Sequence, residues 1–518
     1  METYDDAAFD RFCSDLVLAG FSPSGGGNQS CWTGPIRASL APLTDATRMR
    51  IDIRDGWPLR HAHVVVDGLR SEHDDQGLIC LWADDDPAQV DGRTLHGLFD
   101  RLDEWAETAR AGFGDDDRAL DAHRFFHRQN GGSAEIPLGE LIDRGTVGCT
   151  IEVYGHLSGT ALIINRGNTP EHLNVGKPAL RGLFHLCHHL DEPPRTFDDV
   201  HAALSRRQRH RIRRGLADRA AGSSYPHSSG GLDFIAVAWP RHGADHDAVV
   251  LNIDGGGDSP TWSALAATPN DMEALRRRAG PDAVVLADLK ITIIGAGSVG
   301  GHVAVALASS GVGQIDLHDD DRLTSANLVR HVAAKNSVGL PKTSAVKALV
   351  DQHAPWTTLI PHPHLSYAPH AVSEAIDGAH LVIDCTGIAP LTAAVAEICR
   401  RVDTPLVTVA VFHHGALVRV QRQEASDTPI AARPADSRYY ALPPDNAAGA
   451  PGFLELGCTA PVNNAPPIAV LAAASDAAAA AVDVLTGRQE RPDERITVLR
   501  PMSSPFDRIG ALEPVDGR

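Results

Sequence analysis

Three glycines, Gly295, Gly297 and Gly300, stand at GxGxxG spacing directly behind the apolar, β-branched residues 290–294. A strand followed by such a turn brings backbone amides and a helix N-terminus close to an anion, because the missing side chains let a phosphate approach. On these glycines alone the turn fits a dehydrogenase, another nucleotide enzyme, or a tight turn with no ligand. The residues that follow narrow the choice. Asp319 comes where an acidic side chain can meet ribose hydroxyls, about 20 residues on. Asp321, Asn327, Arg330 and Lys342 then follow in the pattern D-x-D-x5-N-L-x-R and V-G-x-x-K. A nicotinamide enzyme needs no such cluster, whereas a triphosphate carries extra negative charge that an arginine and a lysine can neutralise.

Two cysteines are the other candidates. Cys458 follows the Pro/Gly-rich stretch ALPPDNAAGAPGF and precedes an apolar, helix-like run. A thiol on a loop before a helix can be exposed, and the helix N-terminus lowers its pKa. Cys80 lies in the run GLICLW after His73. Its apolar neighbours permit a buried strand cysteine, which would be inert, so a functional thiol there must face outward.

The elements needed to hold these groups can be read in outline. A helix is expected up to about Gly20, with Phe9, Phe12, Leu16 and Val17 on its inner side, followed by short strands in which Met49, Ile51 and Ile53 alternate with charged residues. Leu95, Leu98, Phe99, Leu102 and Trp105 mark one face of a long helix. Residues 116–270 are the least informative. They contain strand-like pieces, an expected helix ending in RGLFHLCHHL, and the basic run SRRQRHRIRRGL. His185, Cys187, His188 and His189 are too closely spaced for an ordinary metal site.

The segment from Lys290 to Lys342 resembles the adenylation domain of the ThiF/MoeB and ubiquitin-activating enzymes, and the likeness continues more loosely to about residue 490. It implies a Rossmann-like α/β domain over 271–518 that uses ATP and Mg2+ to adenylate the C-terminus of a ubiquitin-like or other carrier protein with a free tail. The resemblance implies that Gly295, Gly297 and Gly300 cradle the nucleotide and Asp319 holds the ribose, with Asp321 beside it. Asn327 and Arg330 would then lie at the phosphates, and Lys342 at the leaving pyrophosphate. It also implies that Cys458 takes the acyl group as a thioester, and that the domain forms a homodimer. Where the family has D-C-T-D, this chain has Asp384, Cys385, Thr386 and Gly387, so the metal role is expected to fall on Asp384 or on Asp321, or to be weakened. The first 115 residues, with their helix, meander, Trp-Pro and G-x-I-C-L order, resemble the α+β ubiquitin-conjugating domain. That likeness implies Cys80 as the acyl acceptor and a target-protein amine as its final partner. Asp74 and Asp75 stand where the family has Pro and Asn. The combination is similar to fused activating and conjugating enzymes of bacterial anti-phage operons. A sulfur-carrier adenylyltransferase and a nucleotide-binding scaffold remain alternatives.

Composition bounds the rest. A chain of 518 residues is expected to form two to four domains. A net charge of −19 opposes general nucleic-acid binding. No apolar run is expected to approach the ~20 residues of a membrane span. The acidic N-terminal residues and the absence of any CxxC among eight cysteines fit a reducing, cytoplasmic setting. The expected order is a conjugating-like domain at 1–115, a linker domain at 116–270 and the adenylation domain at 271–518.

Overall fold

The computed structural model describes residues 3–24, 30–83, 86–113, 122–166, 179–188, 190, 193–240, 246–443 and 465–515. The chain divides into two compact units, Met1–Asp271 and Met272–Arg518.

The first unit holds two sheets. Helix Asp6–Leu18, capped by the Asp5 carboxylate, leads into an antiparallel sheet. Its principal strands are Cys31–Pro35, Arg48–Asp52 and His63–Val65, and the short hairpin Asp74–Asp75 with Leu78–Ile79 closes its far edge. Alternation works as expected here: Met49 and Ile51 are buried under helix Leu95–Ala111, whose Leu98, Leu102 and Trp105 join the same core. On the first helix Phe12 and Leu16 are buried, but Val17 is 59% exposed, because the buried stripe is narrower than the sequence suggested.

The second sheet was not expected. Strands Gln129–Ile136, Thr150–Ser158, Ala161–Asn165, Leu180–Leu186, Phe234–Pro240, His246–Asp254 and Thr261–Pro269 close into a seven-stranded barrel of mixed parallel and antiparallel pairs. Residues 180–186 are therefore a strand, where a helix was expected. They pair on both edges, with Phe234–Pro240 and with Thr150–Ser158, so the apolar run lacks the alternation of a half-exposed strand. Gly155 and Gly182 make room for the Phe234 ring: a Cβ on Gly182 would lie 2.3 Å from it. His185 is buried in this barrel with Nδ1 3.0 Å from Thr150 Oγ1, and burial lowers its pKa to about 3. Cys187 is buried too, its thiol pushed up to about 11. The basic run forms helix Arg206–Ala217, closed at its start by a Ser205–Gln208 capping box.

The second unit is built on an eight-stranded sheet. Four strands run parallel in the order Thr358–His362, Gln314–His318, Lys290–Ile294 and Leu381–Asp384, and Leu406–Phe412 joins them parallel to the last. Leu417–Gln423, Glu494–Val498 and Gly510–Leu512 then extend the sheet antiparallel. Helices Ser298–Ser309 and Pro467–Leu485 pack on one face, so Ile291 and Ile293 are fully buried. Helix Pro467–Leu485 is 19 residues long and apolar enough to cross a membrane by length and composition, which corrects the expectation that no run approaches that length. Ala473, Ala477 and Ala481 of this helix are buried in the domain core.

Candidate functional site

Strand Lys290–Ile294 ends at Gly295, whose φ of +94° only glycine adopts without strain. The turn then closes tightly, since a Cβ on Gly300 would lie 1.8 Å from the Gly295 carbonyl oxygen. Gly297 differs from both. It caps helix Ser298–Ser309 with no side-chain hydrogen bond, and a Cβ built on it would meet nothing within 4 Å. The helix therefore starts without a side-chain cap and with open space beside Gly297, which is the arrangement an anion needs. The residues fit the triphosphate of ATP. Gly297→Ala is accordingly expected to shift folding stability by no more than about 1 kcal/mol, the scale of a helix-cap change, while weakening ATP binding by about tenfold or more, equivalent to about 1.4 kcal/mol. Thermal unfolding and a fluorescent nucleotide titration separate the two effects.

The acidic and basic residues gather around this turn. Asp319 accepts from Ala296 N at 2.7 Å and from Asp321 N at 2.9 Å, so its carboxylate pins the turn to the neighbouring strand. Burial raises its pKa, and the charge of Lys342 opposes that shift. Asp321 is the outward carboxylate, and Lys342 Nζ lies 2.6 Å from its Oδ2. Asn327 Oδ1 accepts from Thr324 N at 3.0 Å and Thr324 Oγ1 at 2.9 Å, which sets the bend that carries Arg330. Arg330 Nη1 reaches the Ala465 carbonyl at 3.5 Å.

One residue of this network had no readable signal in the sequence. The buried His331 accepts from Ala333 N at Nδ1, 3.1 Å away, which leaves Nε2 to donate to the Ala296 carbonyl at 2.9 Å. Burial lowers its pKa, so a neutral imidazole ties the Arg330 segment to the glycine turn. A single histidine beside a motif has no spacing of its own to betray it.

Asp384 ends the next strand and is 1% exposed. Its Oδ1 accepts from Thr386 N at 2.9 Å and Thr386 Oγ1 at 2.6 Å, and its Oδ2 accepts from Thr392 Oγ1. The carboxylate shapes the turn that backs Gly295, where a Cβ would lie 3.2 Å from Thr386 N. Gly387 adds no donor atom, and among the described residues no group of three or more His, Cys, Asp and Glu side chains assembles. The expected magnesium ligand is thus a turn-forming carboxylate, and the residues at Asp384 do not fit a protein-held Mg2+ ion.

The thiols fare differently. Cys458 lies outside the described residues. Cys80 follows a two-residue hairpin turn in which Gln76 and Gly77 both have positive φ, at 54° and 92°. Gly77 also approaches the Val66 carbonyl too closely for a Cβ, which would lie 2.6 Å away. Alternation then buries Ile79 and Leu81 and turns Cys80 to the surface. A cleft of about 670 Å3 begins at Trp82 and is lined by Asp86, Asp91, His96, Asp100 and Glu104 among others. The hairpin is anchored from behind: Asp74 Oδ1 accepts from Gly77 N at 2.6 Å, and Oδ2 lies 2.8 Å from Arg195 Nη2, with both side chains at most 4% exposed. Arg195, from the barrel part of the unit, was not singled out by the sequence.

Residues 274–512 match the model of the ThiF family, so the C-terminal half of the chain carries a ThiF/MoeB-type domain. Among curated proteins, the chain is 29% identical over 151 residues to the uncharacterized protein y4qC of Sinorhizobium fredii, covering 27% of this chain and 26% of that one. It is 29% identical over 136 residues to the sulfur carrier protein ThiS adenylyltransferase of Escherichia coli, covering 26% and 54%. It is 27% identical over 175 residues to the adenylyltransferase and sulfurtransferase MOCS3 of Xenopus laevis, covering 33% and 36%. The chain spans 26% and 23% of the length of the first two curated relatives it matches. Among solved structures, the microcin C7 biosynthetic enzyme MccB in complex with N-formylated MccA aligns with a TM-score of 0.36 at 17% identity, over 44% of this chain and 65% of that one.

Proposed function

We propose that the chain adenylates the C-terminal carboxylate of a carrier protein or peptide with ATP, and passes the acyl group through Cys458 and Cys80 to an amine of a target protein. The observation that carries this reading is the uncapped helix start at Gly297, with Lys342 and Arg330 held around the same turn. A carboxylate is a poor acyl donor because its leaving group would be an oxide. Attack of a carboxylate oxygen on the α-phosphorus breaks the bond to pyrophosphate, whose charge Lys342 and Arg330 are suited to neutralise. The resulting acyl-adenylate loses AMP when the Cys458 thiolate attacks its carbonyl carbon. Exchange with the Cys80 thiolate moves the acyl group on, and a target amine then displaces the Cys80 thiolate, forming an amide and giving up a proton.

The surface position of Cys80 supports the second half of the path, since a sealed thiol could not receive an acyl group. Among relatives, the sulfur carrier protein ThiS adenylyltransferase lends support to a carrier protein as the acyl donor. With ATP and a carrier, the Cys80→Ser chain is expected to hold the carrier at Cys458 and form no conjugate. Full conjugation by that variant would overturn the relay.

A further inference from the structure

Strands Leu406–Phe412 and Leu417–Gln423 present two unlike faces. Val407, Val409, Val418 and Val420 join the core that includes helix Pro467–Leu485. The residues between them, Thr408, Ala410, Phe412, Arg419 and Gln421, line a cavity of about 540 Å3 on the opposite face. Gly387 also lines it, immediately after the Thr386 that backs the glycine turn, so the cavity begins beside the nucleotide site.

Arg419 is out of place there unless an anion joins it. It stands opposite the small Ala410 on one neighbouring strand and the buried Ile496 on the other, and its guanidinium lies 5.2 Å from the Phe412 ring centroid. It makes no hydrogen bond or ion pair among the described residues. Glu494, whose charge acts on Arg419, is already engaged: it accepts from Gln421 at 2.5 Å and pairs with Arg433 at 3.5 Å. Arg433 in turn donates to the Thr428 and Asp493 carbonyls. Arg419 is half-buried, and burial lowers its pKa while the charge of Glu494 opposes that shift. A half-buried guanidinium with no ion-pair partner gains from the arrival of an anion, and its planar fork is suited to a carboxylate.

We propose that this cavity is a specificity pocket for an acidic side chain in the segment just before the C-terminus of the protein or peptide to be adenylated, and that Arg419 binds its carboxylate. The proposal rests on the adenylation reading. The terminal carboxylate must reach the α-phosphorus at the glycine turn, so the carboxylate read by Arg419 belongs to an earlier residue. Ala389, Tyr440 and Leu442 give the rest of the cavity an apolar lining suited to the stem of a peptide.

The test is fluorescence anisotropy of the full chain with N-terminally labelled octapeptides carrying one Glu, moved through the positions before the last residue, against the same peptides with Gln. One Glu position is expected to bind about tenfold more tightly than its Gln twin, a difference of about 1.4 kcal/mol. Arg419→Ala is expected to abolish that preference, and Arg419→Lys, which keeps the charge should the alanine variant fail to fold, to retain part of it. C-terminally amidated peptides should keep the Glu preference. Equal binding of Glu and Gln peptides, a preference that survives Arg419→Ala, loss on amidation alone, or binding by no peptide would each overturn the pocket. Pyrophosphate exchange with whole carriers is measured separately. Its absence would remove adenylation while leaving a Glu preference standing, and its presence without that preference would remove only the pocket.

Discussion

Lys342→Ala is expected to lower ATP–pyrophosphate exchange by about 100-fold or more, the scale on which one charge-stabilising donor acts in a transition state. Lys342 opens helix Lys342–His353, where the helix dipole disfavours a cation. Its ion pair with Asp321 offsets this only weakly, because that carboxylate is 68% exposed. The ion pair therefore contributes little to folding, and apart from the packing of the 12% exposed lysine stem the variant should unfold within about 1 kcal/mol of the parent chain. Its charge instead acts on Asp319, the carboxylate that accepts from the turn amide Ala296 N, with Asp321 as a partner that phosphate oxygens can replace. Lys342→Arg keeps the charge and should retain part of the exchange. Unchanged exchange, or a loss matched by a large fall in thermal stability, would contradict the assignment.

Arg195→Ala should be strongly destabilising, by about 3–5 kcal/mol in urea unfolding, because it leaves the Asp74 charge buried and alone. Asp74 carries a distinctive pH signature. Burial raises its pKa from 3.8 to about 6, with Arg195 pulling the other way. Between those values the folded state holds the proton more tightly than the unfolded chain, so the contribution of Asp74 to stability falls as pH rises through that window and is level above it. Without Arg195 the folded pKa moves higher and the window extends upward. The gap between Arg195→Ala and the parent chain should therefore be widest near pH 8 and narrow as the pH approaches 4. The double change Asp74→Leu with Arg195→Met should recover much of the loss at pH 8, since two apolar side chains leave no charge behind. A pH-independent gap would show that the ion pair is not its source.

The nucleotide turn was legible because its demands are local. Gly295 needs positive φ, Gly300 needs to lack a Cβ, and the aspartates and Lys342 lie within one strand-to-helix unit. The surface position of Cys80 was legible only as a condition, since alternation could have turned either Ile79 or Cys80 inward and the Gln76–Gly77 turn decides the phase. The barrel was hidden because its closure depends on pairs distant in sequence. Gln129–Ile136 is a polar, glycine-bearing strand, yet it pairs in parallel with both Ala161–Asn165 and Thr261–Pro269. Asp384 misled through its place at a strand end, where metal ligation and turn formation call for the same side chain. Arg195 and Arg419 have no local pattern at all. One matters for the acid that it covers, and the other for a cavity formed only when the sheet and its flanking segments assemble.

The most direct measurement is intact-protein mass spectrometry of the chain after incubation with ATP and candidate small proteins encoded beside it. The account predicts adducts of one carrier mass less one water, released by thiol reductant and mapping to Cys458 and Cys80, with both lost in Lys342→Ala. A carrier adduct on neither cysteine, under conditions where pyrophosphate exchange proceeds, would contradict it.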